Sequence, residues 1–277
     1  MILALRLSPV LLLLNAFVLA QEAPSSINPA GMTIEARFPP PPGYARVEAA
    51  ENSFTAYLRR LPLKPHGEPV RLHDGRIKPN PGVYAAVVDL SIGSRDLHQC
   101  ADAIIRLRAE FLFSRERFDE IRFRFTSGFQ AEYARWRRGE RIAVRGNDAR
   151  WVPGAPAGDD RRSFRRFLET VFAYAGTASL ARELTAVPSD APEIGAVFIQ
   201  PGHPGHAVIV IDRAACAAAG REVFLLAQSY MPAQEIQVLE NPRDSRLSPW
   251  YAAGFGEMLV TPEWTFRASD LMRFPER

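Results

Sequence analysis

The clearest pattern of apolar and polar positions in the chain lies between residues 94 and 113. Its apolar members recur every three or four residues and so share one helix face: Leu97, Ala101, Ile104, Ile105, Phe111 and Leu112. Asp96 precedes Gln99 by three residues, which is the spacing of a capping box. The pattern predicts a helix over residues 94–113, with Asp96 as its N-cap and Cys100 as its fourth residue.

A second stripe at helical spacing follows Asp159 and Asp160, either of which is a suitable N-cap. Its apolar members are Phe164, Phe167, Leu168, Val171, Phe172 and Ala175, and the neighbouring arginines face water: Arg161, Arg162, Arg165 and Arg166. A shorter helix that carries Phe54 and Tyr57 is predicted after Asn52, and Pro62 closes it.

Strand patterns dominate the C-terminal third, where apolar and β-branched residues occupy segments 195–199, 206–212, 223–230, 235–239 and 264–266. Earlier strands are predicted at 84–90 and 121–125, and Asp74-Gly75 predicts a hairpin turn after residues 70–73. Helices in the middle followed by antiparallel strands predict an α+β fold.

The first twenty residues have the pattern of a signal peptide. Arg6 supplies the positive charge, an apolar stretch follows, and Ala20 provides a small residue before Gln21. We therefore expect cleavage after Ala20 and a periplasmic or secreted protein. The remaining chain is predicted to have a Pro-rich leader at 21–42, a single α+β domain at 43–277 and no transmembrane segment.

Composition agrees with a globular domain, since 47% of the 277 residues are hydrophobic and 23% are charged. The formal net charge is +3 and Lys64 and Lys78 are the only lysines, so nearly all of the basic residues are arginines. Because export separates the chain from the cytoplasm, nucleic acid is not an expected partner. Cys100 and Cys216 are the only cysteines, and in an oxidising compartment an even pair can form a disulfide.

Several segments together resemble a bacterial family of exported proteins, domain of unknown function 4846. They are Pro41-Pro42-Gly43-Tyr44, residues 57–65 (YLRRLPLKP), 99–110 (QCADAIIRLRAE), 202–212 (GHPGHAVIVID), 225–234 (LLAQSYMPAQ) and Ser248-Pro249-Trp250-Tyr251. The likeness spans roughly residues 40–270, and it implies no particular activity.

The order of three polar residues also resembles the papain-like superfamily, which includes transglutaminase-like and cell-wall amidase branches. That resemblance implies a papain-like core in which Cys100, in the first turn of a helix, is the nucleophile. It further implies that His206, at the start of a strand, is the general base and acid, and that Gln228, on the next strand, orients the ring. Gln99 and the Cys100 backbone N–H would hold the oxyanion.

This sequence departs from the papain pattern in three ways. Gln99 is adjacent to the cysteine rather than several residues before it, Gln228 replaces the usual Asn, Asp or His, and no Trp or Gly motif flanks Cys100. The position of His206 also depends on strand register. If residue 212 pairs with 221, His206 faces Ala227, and a slip of one residue places it opposite Gln228.

Each candidate residue has an alternative interpretation. Cys100 is also consistent with a buried inert thiol or a disulfide to Cys216, and Gln228 with a polar residue that satisfies backbone groups. His203 and His206 lie in a turn rich in Gly and Pro, where histidines can simply be exposed. Carboxylates and thiolates at metal-ligand spacing are absent nearby in the sequence, so neither a metal nor a cofactor is expected.

Two hypotheses of function remain open at the level of sequence. The first is a cysteine-dependent peptidase or amidase that acts on a peptide or a cell-wall amide. The second is a non-catalytic module that binds an anionic envelope polymer through the arginines around Trp136, namely Arg135, Arg137, Arg138, Arg141 and Arg145. The sequence does not predict the oligomeric state.

Overall fold

The structure is a computed structural model that describes residues 27–154, 156–190 and 192–275. The predicted signal peptide and residues 21–26 of the predicted leader lie outside these residues.

The helices are α1 (Ile34–Arg37), α2 (Phe54–Arg59), α3 (Cys100–Ser114), α4 (Tyr133–Arg137), α5 (Arg161–Tyr174) and α6 (Thr177–Ala181). The strands are β1 (Ala45–Arg46), β2 (Tyr84–Val87), β3 (Arg122–Arg124), β4 (Gln130–Glu132), β5 (Glu140–Arg145), β6 (Asp148–Pro153), β7 (Thr185–Ala186), β8 (Val197–Gln200), β9 (His206–Cys216), β10 (Arg221–Gln228), β11 (Gln237–Leu239), β12 (Tyr251–Ala252), β13 (Met258–Val260), β14 (Thr265–Arg267) and β15 (Leu271–Arg273). No helix among the described residues is long and apolar enough to span a membrane.

Within the described residues, nine strands form one antiparallel sheet in the order β2-β11-β10-β9-β8-β15-β7, with β1 paired to β9 and β12 to β10. The strands β3–β4, β5–β6 and β13–β14 form separate hairpins. Helices and an antiparallel sheet together confirm the predicted α+β class.

Both faces of the central strand β9 are buried, which explains its nearly continuous apolar sequence. Ala207, Ile209 and Ile211 pack in one core with residues of α3 and α5. Val208 and Val210 point to the other face and pack in a second core that includes Phe266 of β14. The alternation places His206 on the face of Val208 and Val210.

The predicted leader contributes to the core, contrary to expectation. Ile34 and Phe38, at the two ends of α1, are fully buried among the apolar residues that pack on α3. Arg37 is buried with them and donates from Nε to the Gly31 carbonyl at 2.7 Å. The sequence analysis did not predict this short helix, because the four prolines that follow Phe38 favour an extended segment.

Helix α3 begins at Cys100, three residues later than the start at Leu97 that follows from Asp96 as the N-cap. Asp96 does not cap the helix, because its Oδ1 accepts from the Ala233 backbone N–H at 2.7 Å and from Gln99 Nε2 at 3.2 Å. The N-cap is Gln99, whose backbone N–H donates to Asp102 Oδ2 at 3.0 Å. Cys100 is therefore the first residue of the helix rather than the fourth.

The prediction for α5 is confirmed. Asp160 is the N-cap and its Oδ1 accepts from the Ser163 N–H at 2.6 Å. Phe164, Phe167, Leu168 and Val171 are buried, whereas Phe172 and Ala175 are only partly buried.

The predicted register of β9 and β10 is wrong by four residues. Cys216, not Asp212, pairs with Arg221, because β9 continues beyond Asp212 and the chain reverses at Gly220, whose φ is +58°. A bulge between Leu225 and Leu226 then shifts the pairing, so that Ala227 faces Ile209.

The Asp74-Gly75 turn forms as predicted, but the flanking strands do not. The Gly75 N–H donates to the Leu72 carbonyl at 2.9 Å, and its φ is +86°. Arg71 and Ile77 make a single bridge, and Leu72 instead bridges to Gln234. The residues before the turn therefore join the region next to β11.

Candidate active site

The candidate site lies where α3 begins against the first residues of β9. Ser229, the residue after β10, donates from its hydroxyl to the His98 carbonyl at 2.9 Å and so ties the end of β10 to the start of α3. Cys100 is 7% exposed. Its thiol interacts with the backbone N–H of Ala207, the residue after His206. The fold thus brings Cys100 beside the strand end that carries His206.

Burial raises the pKa of the Cys100 thiol to about 11, and the nearby Asp102 carboxyl adds to the rise. The backbone N–H groups of Ala101, Ala207 and Cys100 act in the opposite direction, because they favour the thiolate. Burial dominates, so the thiol is protonated at neutral pH in this conformation.

His206 and Gln228 are joined by a hydrogen bond between His206 Nε2 and Gln228 Oε1 of 2.8 Å. Both side chains are fully buried. The last pair of the β9–β10 ladder is Ala227 with Ile209. Continued by one residue, this register brings Gln228 to Val208, which makes His206 the diagonal neighbour of Gln228 on the same sheet face. The two predicted partners therefore meet, although the register that we predicted for them is wrong.

Two further residues, which the sequence analysis did not identify, continue this hydrogen-bonded chain. Gln228 Nε2 donates to Glu263 Oε2 at 2.6 Å, and Lys78 Nζ donates to the same oxygen at 2.7 Å. Lys78 and Glu263 come from distant loops, and no spacing in the sequence connects them with His206. Only the fold reveals the chain Lys78–Glu263–Gln228–His206.

This chain determines the tautomer of His206. An ionised carboxylate only accepts hydrogen bonds, so the NH₂ group of Gln228 must face Glu263 and its carbonyl oxygen must face His206. His206 Nε2 then carries the hydrogen, which leaves Nδ1 as the nitrogen with a free electron pair in the neutral ring. In a catalytic site of this type, the residue that orients the imidazole fixes in the same way which ring nitrogen carries the hydrogen.

Aromatic rings enclose His206. Its ring centroid lies 4.8 Å from that of Tyr230, 5.3 Å from that of Trp264 and 5.9 Å from that of Phe266. Trp264 is held in place by a hydrogen bond from its Nε1 to Gln200 Oε1 of 2.9 Å. Burial lowers the pKa of His206 to about 4, against the opposing effect of Gln228, so the ring is neutral at pH 7.

The structure does not bring every predicted site residue into contact. No hydrogen bond joins the Cys100 sulfur to the His206 ring among the residues that the structure describes. The Gln99 amide donates to Asp96, so one of its N–H groups is already engaged. Tyr230 is half-buried beside the ring of His206, and burial raises its pKa, with smaller contributions from Glu263 and Cys100.

The proposed disulfide between the two cysteines does not form, since both are free thiols. Cys100 lies beside Ala207 at one end of β9, and Cys216 is the last residue of that strand. Nine residues of extended chain correspond to about 30 Å, whereas bridged Cα atoms lie about 6 Å apart. The fold therefore excludes this alternative for Cys100.

A family model described as Domain of unknown function (4846) matches residues 34–273. The chain belongs to this family. No curated protein and no solved structure matches it. The family match confirms the first resemblance, whereas nothing in the comparisons supports the papain-like one.

The match begins at residue 34 and so includes α1. Both the family model and the hydrophobic core therefore extend into the predicted leader. It also contains the whole candidate site, from Lys78 to Glu263. His203 is exposed in the loop before His206, and the described residues contain no group of three or more histidine, cysteine or carboxylate side chains that could hold a metal ion.

The arginines around Trp136 are largely paired within the protein. Arg135 and Arg138 pair with Glu140, and Arg137 Nη2 lies 2.8 Å from Asp159 Oδ2. Arg141 lies over the Trp136 ring, which is itself buried. Three of the five arginines therefore have carboxylate partners, which reduces the net positive charge that the binding hypothesis requires.

Proposed function

We propose that this protein is an exported cysteine hydrolase that cleaves amide bonds in peptides or cell-wall material. Cys100 is the nucleophile, His206 is the general base and acid, and Gln228 orients the imidazole. The observation that carries the proposal is the 2.8 Å bond between His206 and Gln228 at the strand end against which Cys100 begins α3. The Glu263–Gln228 contact supports it because it determines which ring nitrogen is basic.

The reaction follows from these positions. As the Cys100 sulfur attacks the carbonyl carbon, His206 Nδ1 accepts the thiol proton. The C–N bond then breaks, the amine leaves with that proton, and an acyl thioester remains on Cys100. A water molecule that loses its proton to His206 hydrolyses the thioester, which releases the acid and restores the thiol.

The start of α3 supplies groups for the oxyanion. Cys100 is the first residue of a 15-residue helix, where backbone N–H groups lack helical partners and favour negative charge. In this proposal the Cys100 N–H and the second amide hydrogen of Gln99 donate to the oxyanion. The later helix start therefore strengthens the argument for Cys100 relative to its predicted position in the helix.

The described conformation is a closed resting state in this proposal. Burial is the first cause of both pKa shifts, and it favours the neutral thiol and the neutral imidazole. Displacement of Tyr230, which is half-buried over His206, would hydrate both groups and bring their pKa values towards the ordinary range. Proton transfer from sulfur to nitrogen becomes easier in that open state.

The test is the release of new amino groups from purified cell-wall fragments, with matched variants of each residue. Cys100→Ala and His206→Ala are expected to abolish release, whereas Cys216→Ala and His203→Ala retain it, because those residues lie outside the site. Absence of release by the wild-type protein, or an equal rate in Cys100→Ala, would contradict the proposal.

A further inference from the structure

A cavity of about 350 Å³ lies between the segment 91–97 and the helices α3 and α5. One part of its wall is cationic and consists of Arg95, Arg106 and Arg165. Another part is apolar and includes Leu97, Leu168 and Phe172. We call this cavity the arginine pocket, and no residue of the candidate active site lines it.

Two guanidinium groups of the arginine pocket converge on one carbonyl oxygen. Arg106 Nη1 and Arg165 Nη2 each donate to the Ser91 carbonyl at 2.8 Å. Arg106 is buried, and the charge of Arg165 adds to the effect of burial in lowering its pKa. The two like charges therefore repel each other beside the Ser91 carbonyl.

Nearby carboxylates compensate these charges only in part. Glu110 Oε1 lies 3.7 Å from Arg106 Nε, and its other oxygen makes a closer contact with Arg161. Glu169 lies 3.8 Å from Arg95 across the rim. Around this cavity, the described residues include four arginines, namely Arg95, Arg106, Arg161 and Arg165. Two carboxylates, Glu110 and Glu169, lie within ion-pairing distance of three of these arginines.

His98 does not change this balance. Its ring packs edge-on against Phe172, which lines the pocket. Burial, with a contribution from Arg106, lowers the pKa of His98 to about 3, so its ring is neutral at physiological pH. The pocket keeps an excess of positive charge beside an apolar wall.

We propose that the arginine pocket binds a carboxylate carried on an aliphatic chain. A guanidinium group presents parallel N–H donors that match the two oxygens of a carboxylate, and an anion in the cavity beside Arg106 and Arg165 relieves their repulsion. Leu97, Leu168 and Phe172 provide the apolar surface that an aliphatic stem requires. This inference does not rest on the proposed hydrolase activity.

The test is isothermal titration calorimetry of the purified full chain with hexanoate, inorganic phosphate and hexanol. Hexanoate is expected to bind saturably at millimolar concentrations or below, whereas phosphate lacks the stem and hexanol lacks the charge. Arg165→Gln is expected to weaken hexanoate binding at least tenfold. Arg162→Gln, on an exposed position of the same helix, serves as the matched control and retains binding.

Melting temperatures without ligand show whether each variant is folded. If Arg165→Gln does not fold, Arg95→Gln replaces it, because Arg95 is exposed at the rim and its loss leaves the core intact. Absence of hexanoate binding to the wild-type protein, equal affinity in the arginine variant and its control, or binding of phosphate as tight as that of hexanoate would each overturn the proposal.

Discussion

His206 is the residue in which most features of the candidate site meet. It is 1% exposed, donates from Nε2 to Gln228, and is enclosed by three aromatic rings. A buried imidazole without partners would be free to adopt either tautomer. Here the charges of Glu263 and Lys78, two and three links away, select one of them.

Replacement of Glu263 by glutamine tests this selection. The new amide can donate as well as accept, so Gln228 can turn and offer its NH₂ group to His206, which then places the hydrogen on Nδ1. We expect the ¹⁵N chemical shifts of the His206 ring to show only the Nε2–H tautomer in the wild-type protein and a substantial Nδ1–H population in Glu263→Gln.

The matched control is Glu235→Gln, because Glu235 makes a comparable ion pair with Lys64 at 2.6 Å away from His206. It should leave the His206 signals unchanged. An unchanged tautomer in Glu263→Gln would show that this carboxylate does not orient the ring.

His206 also makes stability depend on pH. Its pKa is about 4 in the folded protein and near the ordinary 6.5 in the unfolded chain, so the unfolded state binds the proton more tightly. The stabilisation is present above pH 6.5 and is lost as the pH falls through 4. The difference corresponds to about 3 kcal/mol.

Denaturant titrations at pH 7 and pH 4 measure this effect by comparison of the wild-type protein with His206→Gln. The variant should be less stable at pH 7 and should lose less stability on acidification than the wild type. An equal loss in the two proteins would contradict the low pKa of His206.

At the scale of elements, Asp212 joins three parts of the fold. This fully buried residue of β9 accepts from Arg46 of β1 at 2.7 Å and from Arg59 of α2 at 2.6 Å. The two arginines therefore attach β1 and α2 to the strand that begins with His206.

Asp212→Asn removes the charge and leaves the buried Arg59 without its counter-ion. An uncompensated buried charge costs about 3–5 kcal/mol, and we expect a loss of that size in the free energy of unfolding. Asp74→Asn is the control, because the pair of Asp74 with Arg76 lies on the surface and should contribute little. Similar effects of the two substitutions on the denaturation midpoint would exclude the proposed role of Asp212.

The elements also show which features a sequence can predict. Helix α5 was predicted correctly because its stripe, its exposed arginines and its cap are all local. The start of α3 was predicted incorrectly, because Asp96 accepts a hydrogen bond from the backbone of Ala233, more than a hundred residues away, instead of capping the helix. The β9–β10 register depends on a turn at Gly220 and on a bulge. The sequence does not predict the position of either to within one residue.

Over the whole molecule, the order Cys100, His206, Gln228 in the sequence was sufficient to predict the contact of His206 with Gln228, whereas no hydrogen bond joins Cys100 to His206 among the described residues. That order was not sufficient to find Glu263 and Lys78, since these reach the site from loops without a recognisable motif. Hairpin β5–β6 and helix α4 were also missed, because their residues are mostly half-buried and show neither period clearly.

Two features of the whole fold bear on the hypotheses of function. The strand β9 separates the two cysteines, and three of the arginines around Trp136 are paired with Glu140 and Asp159. Neither a disulfide nor a free cationic face accounts for the buried polar chain at His206. The hydrolase proposal gives that chain a chemical role.

The most direct test of this account is to look for an acyl group on Cys100. The wild-type protein is mixed with para-nitrophenyl acetate, quenched rapidly and mapped by peptide mass spectrometry. We expect an acetyl group on Cys100, formed equally fast in Cys216→Ala and at least tenfold more slowly in His206→Ala. An unmodified Cys100, or acetylation at the same rate in His206→Ala, would contradict the proposed roles of both residues.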